Sequence, residues 1–193
     1  MKSIIIIPAR YGSSRFEGKP LFKILGTEMV IRVANICAKV VGKENLYVAT
    51  DNKKISKVVI SNGYKAIMTS TKCLTGTDRV AEAALKVKSD IYVNVQGDEP
   101  TINPKDIKKI IVAKIKYPNH IICGYDKVHK FENPESINLP KVVVNHQKEL
   151  IYISRALVPG KKKKEEKVNY LKQVCIYAFN KEQLKKFYSK KKK

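Results

Sequence analysis

The chain has 193 residues, 44% hydrophobic and 8% aromatic, with 39 Lys and Arg against 17 Asp and Glu for a formal net charge of +22. That length suits one domain of roughly 100–200 residues, so a single domain over 1–193 is expected, and the hydrophobic content is too high for a disordered polycation. No apolar run reaches the roughly 18–20 residues of a membrane span, and neither a secretory signal nor a CxxC pair is visible, which gives a cytoplasmic protein with reduced thiols and no membrane partner.

Strand-length apolar runs alternate with segments of helical period, the pattern of a mostly parallel sheet with helices on its faces. The first strand, 3–8, is apolar and β-branched throughout, as a strand buried on both faces requires. A polar loop, 9–20, follows. Val30, Val33, Ile36 and Val40 mark a helix over Met29–Val41, and Leu46–Thr50 reads as the second strand. Asp51 is the expected N-cap of a helix over about 52–62. The third strand spans 64–68, and the polar loop 69–77 leads to a helix opening at Thr77 or Asp78. The fourth strand, 90–95, delivers Gln96-Gly97-Asp98-Glu99-Pro100 at its carboxyl end, and Pro104 starts a helix to about Lys116. Shorter strands at 121–125, 141–145 and 150–154 form a small antiparallel extension. A last strand over 173–179 precedes a helix from Asn180 or Lys181. Ligands of such open sheets bind beyond the carboxyl ends of the strands, so the loops at 9–20, 69–77 and 96–103 converge on one crevice.

The positive charge is not a nucleic-acid footprint. It comprises 34 Lys and 5 Arg beside heavy Ile and Asn usage, which AT-rich coding produces, and residues 161–193 alone hold 13 Lys against 3 Glu. A nucleic-acid surface clusters its cations on one face with Arg and stacking aromatics, so no nucleic-acid partner is expected. With Lys as the default cation, each Arg marks a place for a planar fork. Arg10, Arg15, Arg79 and Arg155 all fall within motifs.

Residues 8–20 read PARYGSSRFEGKP and supply Arg10, Ser13, Arg15 and Lys19, with Gly12 and Gly18 permitting close backbone approach. Arg forks, a mobile Lys and backbone N–H groups together suit a polyphosphate. Five residues separate Gly12 from Gly18 and Pro20 stands where a magnesium-binding hydroxyl belongs, so this is not a Walker A loop. In VNVQGDEP, residues 93–100, a buried strand ends in a carboxylate beside Gly97. Asp98 is the candidate ligand for a hard cation such as Mg2+, and adjacent Glu99 diverges from it as a supporting group. In LTGTDRVAEA, residues 74–83, Arg79 lies in the first turn of a helix, where the macrodipole disfavours a cation. It therefore answers to an anion or a nearby carboxylate.

These segments, with ATDN, INLPKVVVN, YISRALVP and IYAF in the same order, resemble the 3-deoxy-manno-octulosonate (Kdo) cytidylyltransferases over nearly the whole chain. The resemblance implies the Rossmann-like nucleotide-diphospho-sugar transferase fold and the magnesium-dependent reaction of CTP with Kdo to give CMP-Kdo and pyrophosphate for lipopolysaccharide synthesis. It further implies that Arg10, Ser13, Arg15 and Lys19 hold the CTP phosphates, with Arg10, Lys19 and Asp98 catalytic. Pro8 and Ala9 would frame the cytosine, and Thr77 and Arg79 line the nucleotide pocket. Gln96 would lie between nucleotide and sugar, Arg155, Gln173 and Tyr177 on the sugar side, and Asp98 on magnesium.

The chain departs from the family at Gln173, where His is usual, which opens the reading to an 8-amino analogue or a nonulosonic acid. It also ends before the family's acidic carboxyl-terminal helix and a later segment, which the resemblance implies bring further sugar contacts, homodimer contacts and a second magnesium-binding Asp. The lysines at 190–193 imply an adenine run, so the expectation is a chain cut by frameshift, assembly error or chosen boundary. On that expectation the alternative to a working enzyme is a silent nucleotide-binding protein.

Overall fold

The computed structural model describes residues 1–12, 16–163 and 167–190. Strand β1 (Ser3–Ala9) is followed by a single 3-10 turn, Lys19–Leu21, and a two-residue hairpin of β2 (Lys23–Ile24) and β3 (Thr27–Glu28). Then come α1 (Met29–Val41), β4 (Leu46–Thr50), α2 (Lys53–Ser61), β5 (Lys65–Met68), α3 (Gly76–Lys86), β6 (Ile91–Val95) and α4 (Pro104–Lys116). The chain continues through β7 (Ile122–Lys127), β8 (Lys141–Val144), β9 (Leu150–Ser154), β10 (Leu171–Phe179) and α5 (Lys181–Ser189). Its contacts gather into two compact units, Met1–Ile122 with Ile176–Lys193, and Cys123–Cys175.

In the first unit the sheet runs β5-β4-β1-β6 in parallel, and the end of β10 closes it antiparallel to β6. The run Ile4 to Ile7 is inaccessible to solvent, as a central parallel strand covered on both faces demands. Alternation sorts it: Ile4 and Ile6 join Val80 and Ala84 of α3, Tyr92 of β6 and Leu184 of α5 in one core cluster. Ile5 and Ile7 point the other way, where α1 packs on β1 and α4 packs on α1. This is the expected Rossmann-like arrangement, with helices on both sides.

In the second unit β8 pairs antiparallel with β9 and with Leu171 and Lys172 of β10. Its centre holds a fully buried lysine, Lys141, whose Nζ donates to the carbonyls of Ser136 at 2.9 Å and Arg155 at 2.8 Å. No helix among the described residues is long and apolar enough to cross a membrane.

Two helix starts differ from expectation. Asp51 does not cap α2; Asn52 does, its side chain accepting the Lys54 N–H at 2.8 Å. Helix α3 opens at Gly76, ahead of Thr77 and Asp78, because Thr75 and Asp78 form a reciprocal capping box. An acid three residues after a hydroxyl satisfies two orphan N–H groups at once, which outweighs a cap placed later.

Lys114, fully buried near the end of α4, donates to the carbonyls of Pro118 at 2.8 Å and His120 at 2.6 Å and to Gln183 Oε1 of α5 at 2.7 Å. Burial pushes its amine from 10.5 down to about 8. Below that value folded and unfolded chains both carry the proton; above it the folded chain releases its proton while the unfolded chain keeps it, so stability rises with pH. Urea unfolding followed from pH 7.5 to 9.5 is expected to show the wild type gaining stability relative to Lys114→Met. Parallel curves would count against the assignment.

Candidate active site

Strands β1 and β6 are neighbours in parallel register, so the segments after them leave the sheet at one edge. With the start of α3 they enclose a cavity of about 400 Å³, lined by Pro8, Ala9, Arg10, Lys19, Gln96 and Asp98, and by Thr75 and Gly76 of α3. Gly97 makes this junction possible. A Cβ there would lie 2.8 Å from the Pro8 carbonyl oxygen, so no larger residue lets the two strand ends approach as they do.

Across the cavity mouth Lys19 Nζ donates to Asp98 Oδ2 at 2.7 Å. The two side chains are 39% and 52% exposed, so solvent screens the pair to about 1 kcal/mol or less and either partner exchanges readily. Burial, reinforced by the Asp98 charge and opposed by Lys19, raises the pKa of Glu99. Neighbouring carboxyls thus differ, with Asp98 open to solvent and Glu99 drawn inward.

A polar chain supports the cavity from behind. Gln96 Nε2 donates to Asn94 Oδ1 at 3.1 Å, and the fully buried Asn94 donates from Nδ2 to Thr77 Oγ1 at 3.4 Å. Arg79 is 2% exposed and its fork is engaged by Asp51 Oδ2 at 2.8 Å, Thr69 Oγ1 at 2.5 Å and the Ser70 carbonyl at 3.4 Å. Of the two explanations for a cation in this first turn, the nearby carboxylate is the one the structure displays. Arg79 also borders a second depression of about 320 Å³ with Arg10, Tyr11, Gly12, Asp51 and Thr71.

The structure therefore gathers Pro8, Ala9, Arg10, Lys19, Arg79, Gln96 and Asp98 on one cavity. Thr77 is not on its lining and is held by Asn94. Tyr177, opposite Asn94 in β10, packs against the core cluster. Arg155 and Gln173 belong to the second unit. There Arg155 Nη1 donates to the Ile137 carbonyl at 2.7 Å and the Gln173 N–H to that of Pro140 at 2.9 Å. Ser13 and Arg15 lie outside the described residues. Reasoning from sequence missed Asp51, Asn94 and Cys73, whose thiol borders the cavity and donates to Glu82 at 3.3 Å. The ATDN segment was the available signal for Asp51; for Asn94, a polar residue inside a buried strand was the signal.

Together the sheet order and the cationic cavity beyond its strand ends define a Rossmann-like protein built to receive a phosphorylated ligand. A cytidylyltransferase family model matches residues 4–193, and the chain belongs to that family. It is 39% identical over 189 residues to the 3-deoxy-manno-octulosonate cytidylyltransferase of Escherichia coli, a match covering 96% of this chain and 75% of that protein. It is 36% identical over 186 residues to the 8-amino-3,8-dideoxy-manno-octulosonate cytidylyltransferase of Shewanella oneidensis, covering 93% and 75%. The solved structure of a CMP:2-keto-3-deoxy-manno-octonic acid synthetase complexed with CTP superposes with a TM-score of 0.90 at 37% identity, over 100% of this chain and 80% of that one.

The strand-end junction predicts a stability effect. Gly97→Ala is expected to cost about 1–3 kcal/mol in urea unfolding, because backbone on both sides must shift to admit the methyl group. Unchanged stability would mean that the ends of β1 and β6 separate freely.

Proposed function

We propose that the chain transfers a cytidylyl group from CTP to 3-deoxy-manno-octulosonate, giving CMP-Kdo and pyrophosphate. The observation that carries this reading is the cavity bounded by Arg10, Lys19, Gln96 and Asp98 beyond β1 and β6, in a chain 39% identical to an enzyme named for that reaction. The anomeric hydroxyl of the sugar attacks the α-phosphorus. A new P–O bond forms as the α-to-β bridging bond breaks, the hydroxyl proton departs to water, and pyrophosphate leaves. No protein nucleophile is needed, so positioning and charge neutralisation supply the rate.

Arg10 offers a fork to phosphate oxygens and Lys19 a mobile charge. Pro8 and Ala9 give the base an apolar frame, and the N-terminus of α3 at Thr75 and Gly76 turns its positive end toward the phosphates. We assign Ser13 and Arg15 to the same phosphates. Gln96, with Nε2 committed to Asn94, faces the junction of nucleotide and sugar. Arg155, Gln173 and Tyr177 are the proposed sugar-side residues, Arg155 matching the sugar carboxylate.

The donor set fits magnesium in one specific way. Mg2+ takes one or two carboxylates and completes its shell with phosphate oxygens and water, and Asp98 is an exposed hard-oxygen donor on the cavity. Among the described residues no cluster of three or more His, Cys, Asp or Glu exists, so Asp98 would hold the ion with the substrate's own oxygens. Bound there, magnesium would neutralise charge on the transferring phosphate and the leaving group. Lys19, held to Asp98 only by a solvent-exposed pair, would be free to turn to a phosphate and would leave the carboxylate available to hold the ion.

Pyrophosphate release with CTP and Mg2+ is expected to require the sugar and to fall about a hundredfold or more in Asp98→Ala. Release that does not depend on the sugar would overturn the transferase reading. Running 8-amino-3,8-dideoxy-manno-octulosonate beside Kdo identifies the preferred acceptor.

A further inference from the structure

Helix α3, the end of β4 and the loop after β1 meet at one carboxylate. Asp51 Oδ2 takes the Arg79 guanidinium at 2.8 Å, and Asp51 Oδ1 accepts the backbone N–H of Tyr11 at 3.2 Å. The same Tyr11 closes the loop with its other backbone group, its carbonyl accepting the Gly18 N–H at 2.9 Å. Gly18 sits at φ +68°, where a side chain is strained, and the Tyr11 ring lies 3.4 Å from where a Cβ would stand. The residues flanking this closure, Arg10 before Tyr11 and Lys19 after Gly18, both line the cavity.

We propose that Asp51 is a positioning residue for the phosphate-binding loop: oriented by Arg79, it holds Tyr11, and through the Tyr11–Gly18 closure fixes the spacing of Arg10 and Lys19. Arg79 then serves the nucleotide through Asp51. The carboxylate is suited to this because it is shielded, 13% exposed beside a guanidinium that is 2% exposed, and because a charged acceptor strengthens the bond to a backbone N–H. Thr69 Oγ1 and the Ser70 carbonyl both accept from Nη1 of Arg79 while Asp51 takes Nη2, so swinging the fork away would break these contacts around a buried guanidinium. Asp51 is free for this work because Asn52 performs the capping of α2. The assignment rests on the CTP-dependent reading above.

The test combines amide hydrogen exchange with steady-state kinetics on Asp51→Ala and Asp51→Asn. Asp51→Ala is expected to lose protection at the Tyr11 and Gly18 amides. It should also raise KM for CTP about tenfold, the effect of one charge-assisted hydrogen bond, while KM for the sugar stays within about twofold. Asp51→Asn retains one carbonyl acceptor and is expected to fall between wild type and Asp51→Ala in both readouts. If Asp51→Ala does not fold, Asp51→Asn carries the comparison alone. Unchanged Tyr11 and Gly18 protection in a folded variant would overturn the proposal, as would equal changes in kcat and both KM values. Should wild type release no pyrophosphate, the transferase reading fails by itself, and amide exchange with CTP binding still decides the tether.

Discussion

The buried ion pair between Arg79 and Asp51 is the constraint on which the loops around the cavity rest. A guanidinium at 2% exposure has no water to fall back on, and breaking such a pair by removing one partner typically costs about 3–5 kcal/mol. Three segments distant in sequence are therefore locked at one point: the first turn of α3, the residue after β4 and the start of the loop after β1. Because α3 also carries Val80 and Ala84 into the core beneath β1, the same helix that packs the sheet sets the loop above it. Packing and site are coupled through rigid elements, and the cavity takes its shape from that coupling.

Much of this architecture was legible from residue type and spacing. The run Ile4 to Ile7 could only be a strand covered on both faces, and the periodic apolar positions of Met29–Val41 could only be a helix, so the sheet and its ligand-bearing edge followed. The polar junctions were harder. Asp51-Asn52 offers two cap candidates, and local propensity does not distinguish them; the distant Arg79 does, by claiming the aspartate. Thr75 and Thr77 are likewise equivalent as hydroxyls, and only the position of Asp78 relative to each decides the start of α3. The hairpin at Lys23–Ile24 and Thr27–Glu28 is too short for period-two alternation to register.

The cations of the chain divide by the geometry of their acceptors. Lys114 and Lys141 are buried without a carboxylate hydrogen-bonded to either ammonium among the described residues, each held by carbonyl oxygens that an ammonium reaches as a point donor. Lys114 gathers two carbonyls of the turn after α4, and Lys141 bridges the carbonyls of Ser136 and Arg155, which are distant in sequence. Arg79 instead spans a carboxylate, a hydroxyl and a carbonyl at once, which needs a planar fork of fixed shape. In a chain with 34 lysines and 5 arginines, that is the physical difference between a point donor that gathers carbonyl oxygens and a fork that holds a carboxylate, a hydroxyl and a carbonyl together.

Two ion pairs of opposite character stand at the site, Lys19 with Asp98 on the cavity and Arg79 with Asp51 beside it, and the contrast follows from burial. Arg79 and Asp51 are 2% and 13% exposed, so their pair is screened far less and exchanges less readily. Lys19 and Asp98 are both well exposed, so theirs is weak, and an incoming anion or cation competes with it at little cost. A site that must receive CTP and release pyrophosphate needs contacts that change partners. It also needs a frame that does not. Placing the exchangeable pair on the loop and strand end, and the fixed pair behind them, lets charge be redistributed at the mouth while the spacing of the backbone that presents it stays constant.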